Sequence, residues 1–378
     1  MKAIINGKLI LPHQVLEKHL VVYSDKIIDI LPQAALSPEW EIYDAKGSYV
    51  APGFLNLHIH GCAGYDTMDG TPEALLAMAK ALPQTGVTGF LPTTMTQSLP
   101  AITKALKNIR AYQNNYDSAQ ILGAHLEGPF LSKEYKGAQP ETYLCPPDFT
   151  LIEPYIDIIK IITLAPELKG ALDFIKNCAK KGIVVSLGHS KATYEEALAA
   201  FSSGADHVTH LFNAMAPLHH RHPGLLGAAL DNDSTVEIIC DNLHLAPAIQ
   251  RLVYKGKEPQ KIILITDSLR ASLLGDGPSE LGGQPVFVKN GRATLGDGTL
   301  AGSILTMNQA VKNFYHNTKA PLPEVIAMAS LNPARRLGLE NILGSLEKGK
   351  LANMTLLTQD FEVVQTFLQG KPLLAPKI

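Results

Sequence analysis

Between Phe54 and Asp267 the chain carries eight short apolar runs, each followed by a segment with helical character. The runs are Phe54–His60, Gly89–Thr93, Ile121–Glu127, Ile158–Leu164, Ile183–His189, His207–Leu211, Val236–Asp241 and Lys261–Asp267. They are nearly continuous in apolar character rather than alternating, as expected of parallel strands buried on both faces. The stretches Pro72–Leu82, Ala171–Lys181, Thr193–Phe201 and Ala246–Tyr254 read as helices between them. Eight strand–helix units over roughly 250 residues match an α/β fold of one kind in count and length, the (β/α)₈ or TIM barrel.

The ends of the runs carry the chemistry. His58 and His60 end the first, Glu127 the third, His189 the fifth, Asp241 the seventh and Asp267 the eighth, with His210 near the end of the sixth. In a parallel barrel all these ends lie on one face, where barrel enzymes keep their active sites. Residues more than 200 positions apart are thus expected to converge on one pocket.

The flanks differ from this middle. Ala3–Ile5, Leu9–Leu11, Leu20–Tyr23 and Lys26–Ile30 read as short strands, with Asn6-Gly7 as a hairpin signal. Asn353–Leu357 and Glu362–Leu368 resume the pattern at the other end. A small β-sandwich domain assembled from residues 1–52 and 345–378 is expected beside a barrel of residues 53–344, with Pro52-Gly53 and Gly344–Gly349 as the seams.

Charge and composition remove several functions. The 33 Lys and Arg against 35 Asp and Glu leave a net charge of −2, with no basic patch for nucleic acid. No apolar stretch approaches the length of a membrane span, and Asn6, Gly7 and Lys8 interrupt any signal-peptide core, so a cytoplasmic protein is expected. Cys62, Cys145, Cys178 and Cys240 are too widely spaced to suggest a disulfide framework. Histidine carries more information: ten of the thirteen lie between His58 and His244.

His58 and His60 stand at i and i+2 of a strand, so both imidazoles face the same way and can reach one cation; surface or core histidines are the alternative. His125 and Glu127 repeat the spacing in H-L-E-G-P. A buried carboxylate at a strand end needs a compensating charge, from a metal or from a nearby Arg or Lys. With His189 and His210, Glu127 makes a His₂Glu set suited to a catalytic divalent ion with an open position. His125 is read as a partner of the ligands or a satisfied core histidine, and His207 as structural. Asp267 in I-L-I-T-D-S is a general base or a helix N-cap. The stretch Pro217–His222 is a phosphate site centred on Arg221 or a solvated loop. Gly298–Ser303 lines the pocket or merely turns the chain, with Ser303 as an N-cap.

P-G-F-L-N-L-H-I-H-G resembles the opening strand of the amidohydrolase superfamily, and the two terminal β segments resemble its split sandwich. H-L-E-G-P-F, K-G-A-Q, L-G-H-S, T-H-L-F-N-A-M, H-H-R-H-P-G, D-N-L-H, T-D-S and T-L-A-G-S-I-L-T-M resemble, in order, that superfamily's amino-sugar-phosphate deacetylases, end to end. The resemblance implies hydrolysis of the acetamide of N-acetylglucosamine 6-phosphate to glucosamine 6-phosphate and acetate. It implies one or two divalent ions, zinc ahead of iron, cobalt, manganese or nickel. Glu127, His189 and His210 would hold the principal ion, and His58 and His60 a second one bridged by Glu127. Asp267 would be the general acid/base. Ala138, Gln139, Asn213, Ala214, His244, Leu300, Ala301 and Gly302 would contact the sugar. Arg221 would bind the 6-phosphate, in its own subunit or across a homodimer. Two positions depart from the pattern: Gln139 stands where some members have His, and Asn242 where a Gly is often seen. The competing expectations are an amidohydrolase acting on a cyclic amide or base, with Lys160 as a bridging group, and a non-catalytic barrel scaffold.

Overall fold

The computed structural model describes residues 1–113 and 117–373, so residues 374–378 of the expected C-terminal segment lie outside the described residues. Its centre is a parallel barrel. The strands, in order, are Phe54–Ile59, Val87–Thr94, Ala124–Glu127, Ile159–Leu164, Val184–Leu187, His207–Val208, Thr235–Ile239 and Ile262–Ile265. Each pairs in parallel with the next. Main-chain hydrogen bonds from Asp267 N to His58 O (2.9 Å) and from His60 N to Ser268 O (3.0 Å) tie the segment after the eighth strand to the first. The expected (β/α)₈ architecture is present, and the third run is broken at Leu122-Gly123 into Gln120–Ile121 and Ala124–Glu127.

Local chemistry accounts for the helix starts. Thr71 accepts from Ala74 N ahead of Pro72, and Thr193 and Glu196 form a reciprocal capping box at the helix Tyr194–Ser202. One connection was not foreseen. After the eighth strand the chain inserts a three-stranded antiparallel sheet, Gly277–Leu281, Gln284–Lys289 and Arg292–Thr294. Its turns, Gly282-Gly283 and Asn290-Gly291, are two-residue hairpin signals that were readable in the sequence. Val286, Val288 and Ala293 of the insert pack with Met95, Leu269 and Ala301, which seats it over the mouth of the barrel.

Both ends of the chain build the remaining β structure. One sheet runs, in spatial order, Ile27–Pro32, His19–Tyr23, Lys2–Ile5 and Glu41–Asp44. The other runs Lys371–Pro372, Val363–Leu368, Met354–Leu357, Tyr49–Pro52, Lys8–Ile10 and Val15–Leu16. Ile4, Leu9, Val21, Val50, Met354, Leu356 and Phe367 share one core between the sheets, as a β-sandwich requires. The Asn6-Gly7 hairpin expectation is corrected here. Asn6 does adopt a positive φ of 54°, but Lys2–Ile5 and Lys8–Ile10 belong to different sheets. The turn carries the chain from one layer to the other, and a Cβ at Gly7 would lie 2.5 Å from Val50 Cγ2. Among the described residues no helix is long and apolar enough to cross a membrane, and all four cysteines are free.

Candidate active site

The barrel mouth opens into a cavity of about 330 Å³, with Glu127, His60, His189, His210 and Asp267 in its wall. Glu127 is the last residue of the third strand and is 1% exposed. Its Oε1 lies 3.1 Å from His189 Nε2, 3.2 Å from His210 Nε2 and 3.5 Å from His58 Nε2. Its Oε2 lies 3.2 Å from His60 Nε2. Asp267 Oδ1 sits 3.1 Å from His60 Nε2 and 3.4 Å from His58 Nε2. The expected convergence of strand-end residues is therefore met by His58, His60, Glu127, His189, His210 and Asp267 together.

The donor set fits a divalent cation. His189 Nδ1 donates to Tyr135 O at 3.0 Å, His60 Nδ1 to Thr93 O at 3.2 Å and His58 Nδ1 to Glu237 Oε2 at 3.0 Å. In the neutral imidazole, the form a metal ligand needs, each Nε2 is thereby the atom with the lone pair. His58 Nε2 is buried without a hydrogen-bond partner. His189 Nε2 and His210 Nε2 face each other at 3.1 Å. Ligand atoms about 2.1 Å from one tetrahedral ion stand at comparable separations. Glu127, His189 and His210 form one such group, and His58, His60 and Asp267 another. Electrostatics agree. Burial alone would push the His58 and His60 pKa values down, but the surrounding carboxylates reverse this, holding His58 well above its usual value and raising His60 to about 10. Against the same burial, the imidazoles hold Glu127 and Asp267 low. The site calls for positive charge.

Backbone geometry is unusual at three of these residues. His189, His210 and Asp267 have φ of 49°, 26° and 47°, in the left-handed region that non-glycine residues rarely adopt. Such outliers cluster where surrounding structure enforces a functional geometry.

Other expected residues divide. Ala138, Gln139, Asn213, Ala214, His244, Leu300 and Gly302 line the cavity. Ala301 does not; it is fully buried in the core beneath the insert. Ser303 is not an N-cap. Its hydroxyl donates to Thr266 O at 2.6 Å, and the next helix starts at Met307 behind Thr306. Gln139 donates to Glu127 Oε2 and accepts from Thr96 N, both at 2.7 Å, so its amide orients the carboxylate. Asn242 takes a φ of 67°, the conformation that a glycine would supply and that Asn tolerates best among other residues. The His244 loop is therefore held, and Asp241 accepts from His244 Nδ1 at 2.7 Å. Lys160 donates to Asp157 O at 3.2 Å and takes no part in the ligand group. Arg221 is exposed, lies against His220 and does not line the cavity.

His125 is spent on Leu57 O and Thr163 Oγ1, and burial pushes its pKa down to about 3, which makes it a satisfied core histidine. His207 sits lower in the barrel against Thr235 and Glu237. Two residues escaped the sequence reading. Glu237 is a fully buried carboxylate in the seventh strand; a lone Glu within T-V-E-I-I was the available signal. Arg292, on the insert, is the only Arg or Lys among the described residues lining the cavity.

Residues 49–373 match the model of the amidohydrolase family. The chain is 41% identical to the N-acetylglucosamine-6-phosphate deacetylase of Bacillus subtilis, covering 87% of this chain and 86% of that protein. It is 37% identical to the N-acetylgalactosamine-6-phosphate deacetylase of Escherichia coli O157:H7, covering 94% and 95%. The crystal structure of N-acetylglucosamine-6-phosphate deacetylase from Pasteurella multocida superposes with a TM-score of 0.95 at 36% identity, over 98% of this chain and 99% of that one.

Proposed function

The chain belongs to the amidohydrolase family, and from that premise we propose that it hydrolyses the acetamide of N-acetylglucosamine 6-phosphate to glucosamine 6-phosphate and acetate. One observation carries the reading: Glu127, His189 and His210 share a point at the barrel mouth, with Asp267 beside them and a sugar-sized cavity above. Glu127, His189 and His210 would hold the principal divalent ion, zinc first among the candidates, and His58 and His60 a second where one binds, with Glu127 between. A bound divalent cation lowers the pKa of water toward neutrality and polarises a carbonyl oxygen.

Asp267 does the proton work. It accepts a proton from water as the water oxygen bonds to the acetyl carbon, and returns it to the amine nitrogen as the C–N bond breaks. His244, held by Asp241 and lining the cavity, would donate to the developing oxyanion. Asn213, Ala214, Leu300 and Gly302 orient the sugar from the cavity wall. Arg292 supplies a cation for the 6-phosphate from the same subunit. The exposure of Arg221 supports its service to a neighbouring subunit of a homodimer. We likewise infer a cytoplasmic protein divided into a sandwich of residues 1–52 with 345–378 and a barrel of 53–344; a core drawn from the sandwich alone supports that division, and Ile10, Ala51, Leu357, Phe361 and Val363 of the same part pack into the barrel core.

The test is acetate release from the 6-phosphates of N-acetylglucosamine, N-acetylgalactosamine and N-acetylmannosamine and from the free sugars, with and without chelator. Chelator-sensitive turnover that prefers N-acetylglucosamine 6-phosphate is expected. Equal rates with and without phosphate, or full activity after metal removal, would reject the reading.

A further inference from the structure

Glu237 lies at the middle of the seventh strand with Val236 and Ile238 as apolar neighbours, and no atom of it reaches solvent. A carboxylate there is costly unless fully partnered. Its partners are specific. Oε2 accepts from His58 Nδ1 at 3.0 Å and from the His210 main-chain N–H at 3.4 Å, while Oε1 accepts from His207 Nε2 at 3.2 Å. His207 is braced in turn by Thr235 Oγ1 at 2.6 Å. One side chain thus touches a residue of each ligand group at the barrel mouth and touches the mouth cavity itself nowhere.

We propose that Glu237 is the positioning residue of the metal centre, fixing His58 as the Nδ1–H tautomer with a bare Nε2 and holding the turn that carries His210 level with Glu127. An ionised carboxylate only accepts, so the two imidazole nitrogens that meet it must donate. In the neutral ring that binds a metal this leaves Nε2 as the unprotonated atom, and Nε2 is the buried nitrogen lacking a hydrogen-bond partner, 3.5 Å from Glu127 Oε1 and 3.4 Å from Asp267 Oδ1. His60 and His189 take main-chain carbonyls at Nδ1; His58 takes a full charge, which makes its Nε2 a more basic donor. The inference rests on the metal-holding half of the proposed function and not on the sugar.

The test compares wild-type holoenzyme with Glu237→Gln, which keeps the shape and removes the charge. Zinc affinity is read by competition against a chromophoric chelator, stoichiometry by elemental analysis, and thermal midpoints are taken with and without zinc. The expected result is zinc binding about 10- to 100-fold weaker, with the midpoint gap between loaded and metal-free protein narrowed. Unchanged affinity and stoichiometry overturn the proposal, as does a lower metal-free midpoint with zinc affinity intact, the mark of a purely structural ion pair. Should the variant not fold, nitrogen NMR of histidine in the wild-type holoenzyme decides. The His58 signal, assigned by its loss in His58→Asn, must report a protonated Nδ1, and a protonated Nε2 overturns the proposal. Zinc binding is measured without sugar, so failure of the acetate assay with weakened zinc in Glu237→Gln would sink the substrate reading alone.

Discussion

At the scale of single residues, the centre is built from side chains whose second atom is already committed. His60 and His189 spend Nδ1 on carbonyls, Gln139 spends its amide on Glu127 and Thr96, and His244 spends Nδ1 on Asp241. For the three histidines each commitment leaves the other ring nitrogen free of that partner, while Gln139 has both polar atoms spent. His210 and Asp267 differ: His210 Nδ1 is buried without a hydrogen-bond partner, and the partners of Asp267 are the imidazoles His58 and His60. Asp267→Asn, similar in shape but unable to take a proton, should lower the kcat of acetate release by about 10²- to 10⁴-fold while at least one zinc per chain stays bound. Near-normal turnover in that variant would remove Asp267 from the proton path. Arg292 makes a different prediction. A hydrogen bond to a charged group contributes about 1.5–3 kcal/mol, so Arg292→Ala should raise KM for the phosphorylated sugar by about ten- to a hundredfold, with kcat nearly unchanged. The unphosphorylated sugar should be hydrolysed equally by both proteins, and steady-state kinetics on the pair of substrates decides.

At the scale of elements, the strand–helix units were legible because period and capping agree. Pro72–Ala81, Ala171–Lys180, Tyr194–Ser202 and Pro247–Gly256 all fall within a residue or two of the readings from sequence. The sixth strand shrank to His207–Val208 because the chain turns out early to present His210 with its positive φ. The turn-rich insert was missed because its strands alternate exposed and buried residues over short lengths, unlike the barrel runs. Lys257 illustrates how elements are joined. Its ammonium is buried and donates to Asn232 O and, at 2.7 Å, to Ala229 O, satisfying carbonyls at the end of the helix Gly224–Asp231. Lys257→Met should lower the denaturant midpoint, since unsatisfied buried acceptors cost about 1–3 kcal/mol. Burial also drops the Lys257 pKa from 10.5 to about 8. The folded state then binds fewer protons than the unfolded state between those values, so this residue's contribution makes stability rise with pH from about 8 to 10.5. The difference between wild type and Lys257→Met, followed across that window, should show the rise; a flat difference would contradict it.

At the scale of the whole molecule, two cores meet at Pro52-Gly53, where a Cβ on Gly53 would lie 2.3 Å from the Thr88 side chain. The sandwich closes only when both chain ends arrive: Met354–Leu357 pairs antiparallel with Tyr49–Pro52. The metal centre is likewise assembled from residues between His58 and Asp267 that meet only in the closed barrel. Ligand binding to the folded state alone adds about 2.7 kcal/mol at a hundredfold excess over Kd. Chelator dialysis should therefore lower the thermal midpoint, and zinc should restore it. Scanning calorimetry of the metal-free and reloaded protein measures this, and coincident midpoints would mean that folding and the centre are uncoupled.

The sequence by itself determined the barrel, the sandwich from both ends and the acidic and imidazole side chains that gather at the barrel mouth. Apolar runs with polar ends can satisfy burial only as parallel strands whose termini share a face. It also fixed the pairing of His58 with His60, because period two is a property of the strand alone. Only the tertiary structure decided which group meets each ring nitrogen, that Ala301 packs inward while Leu300 faces the cavity, that Glu237 meets His58 and that Arg292 lines the cavity. Tautomers and charge partners depend on atoms brought together from distant parts of the chain, and no local pattern encodes a contact between His58 and a carboxylate 179 residues away.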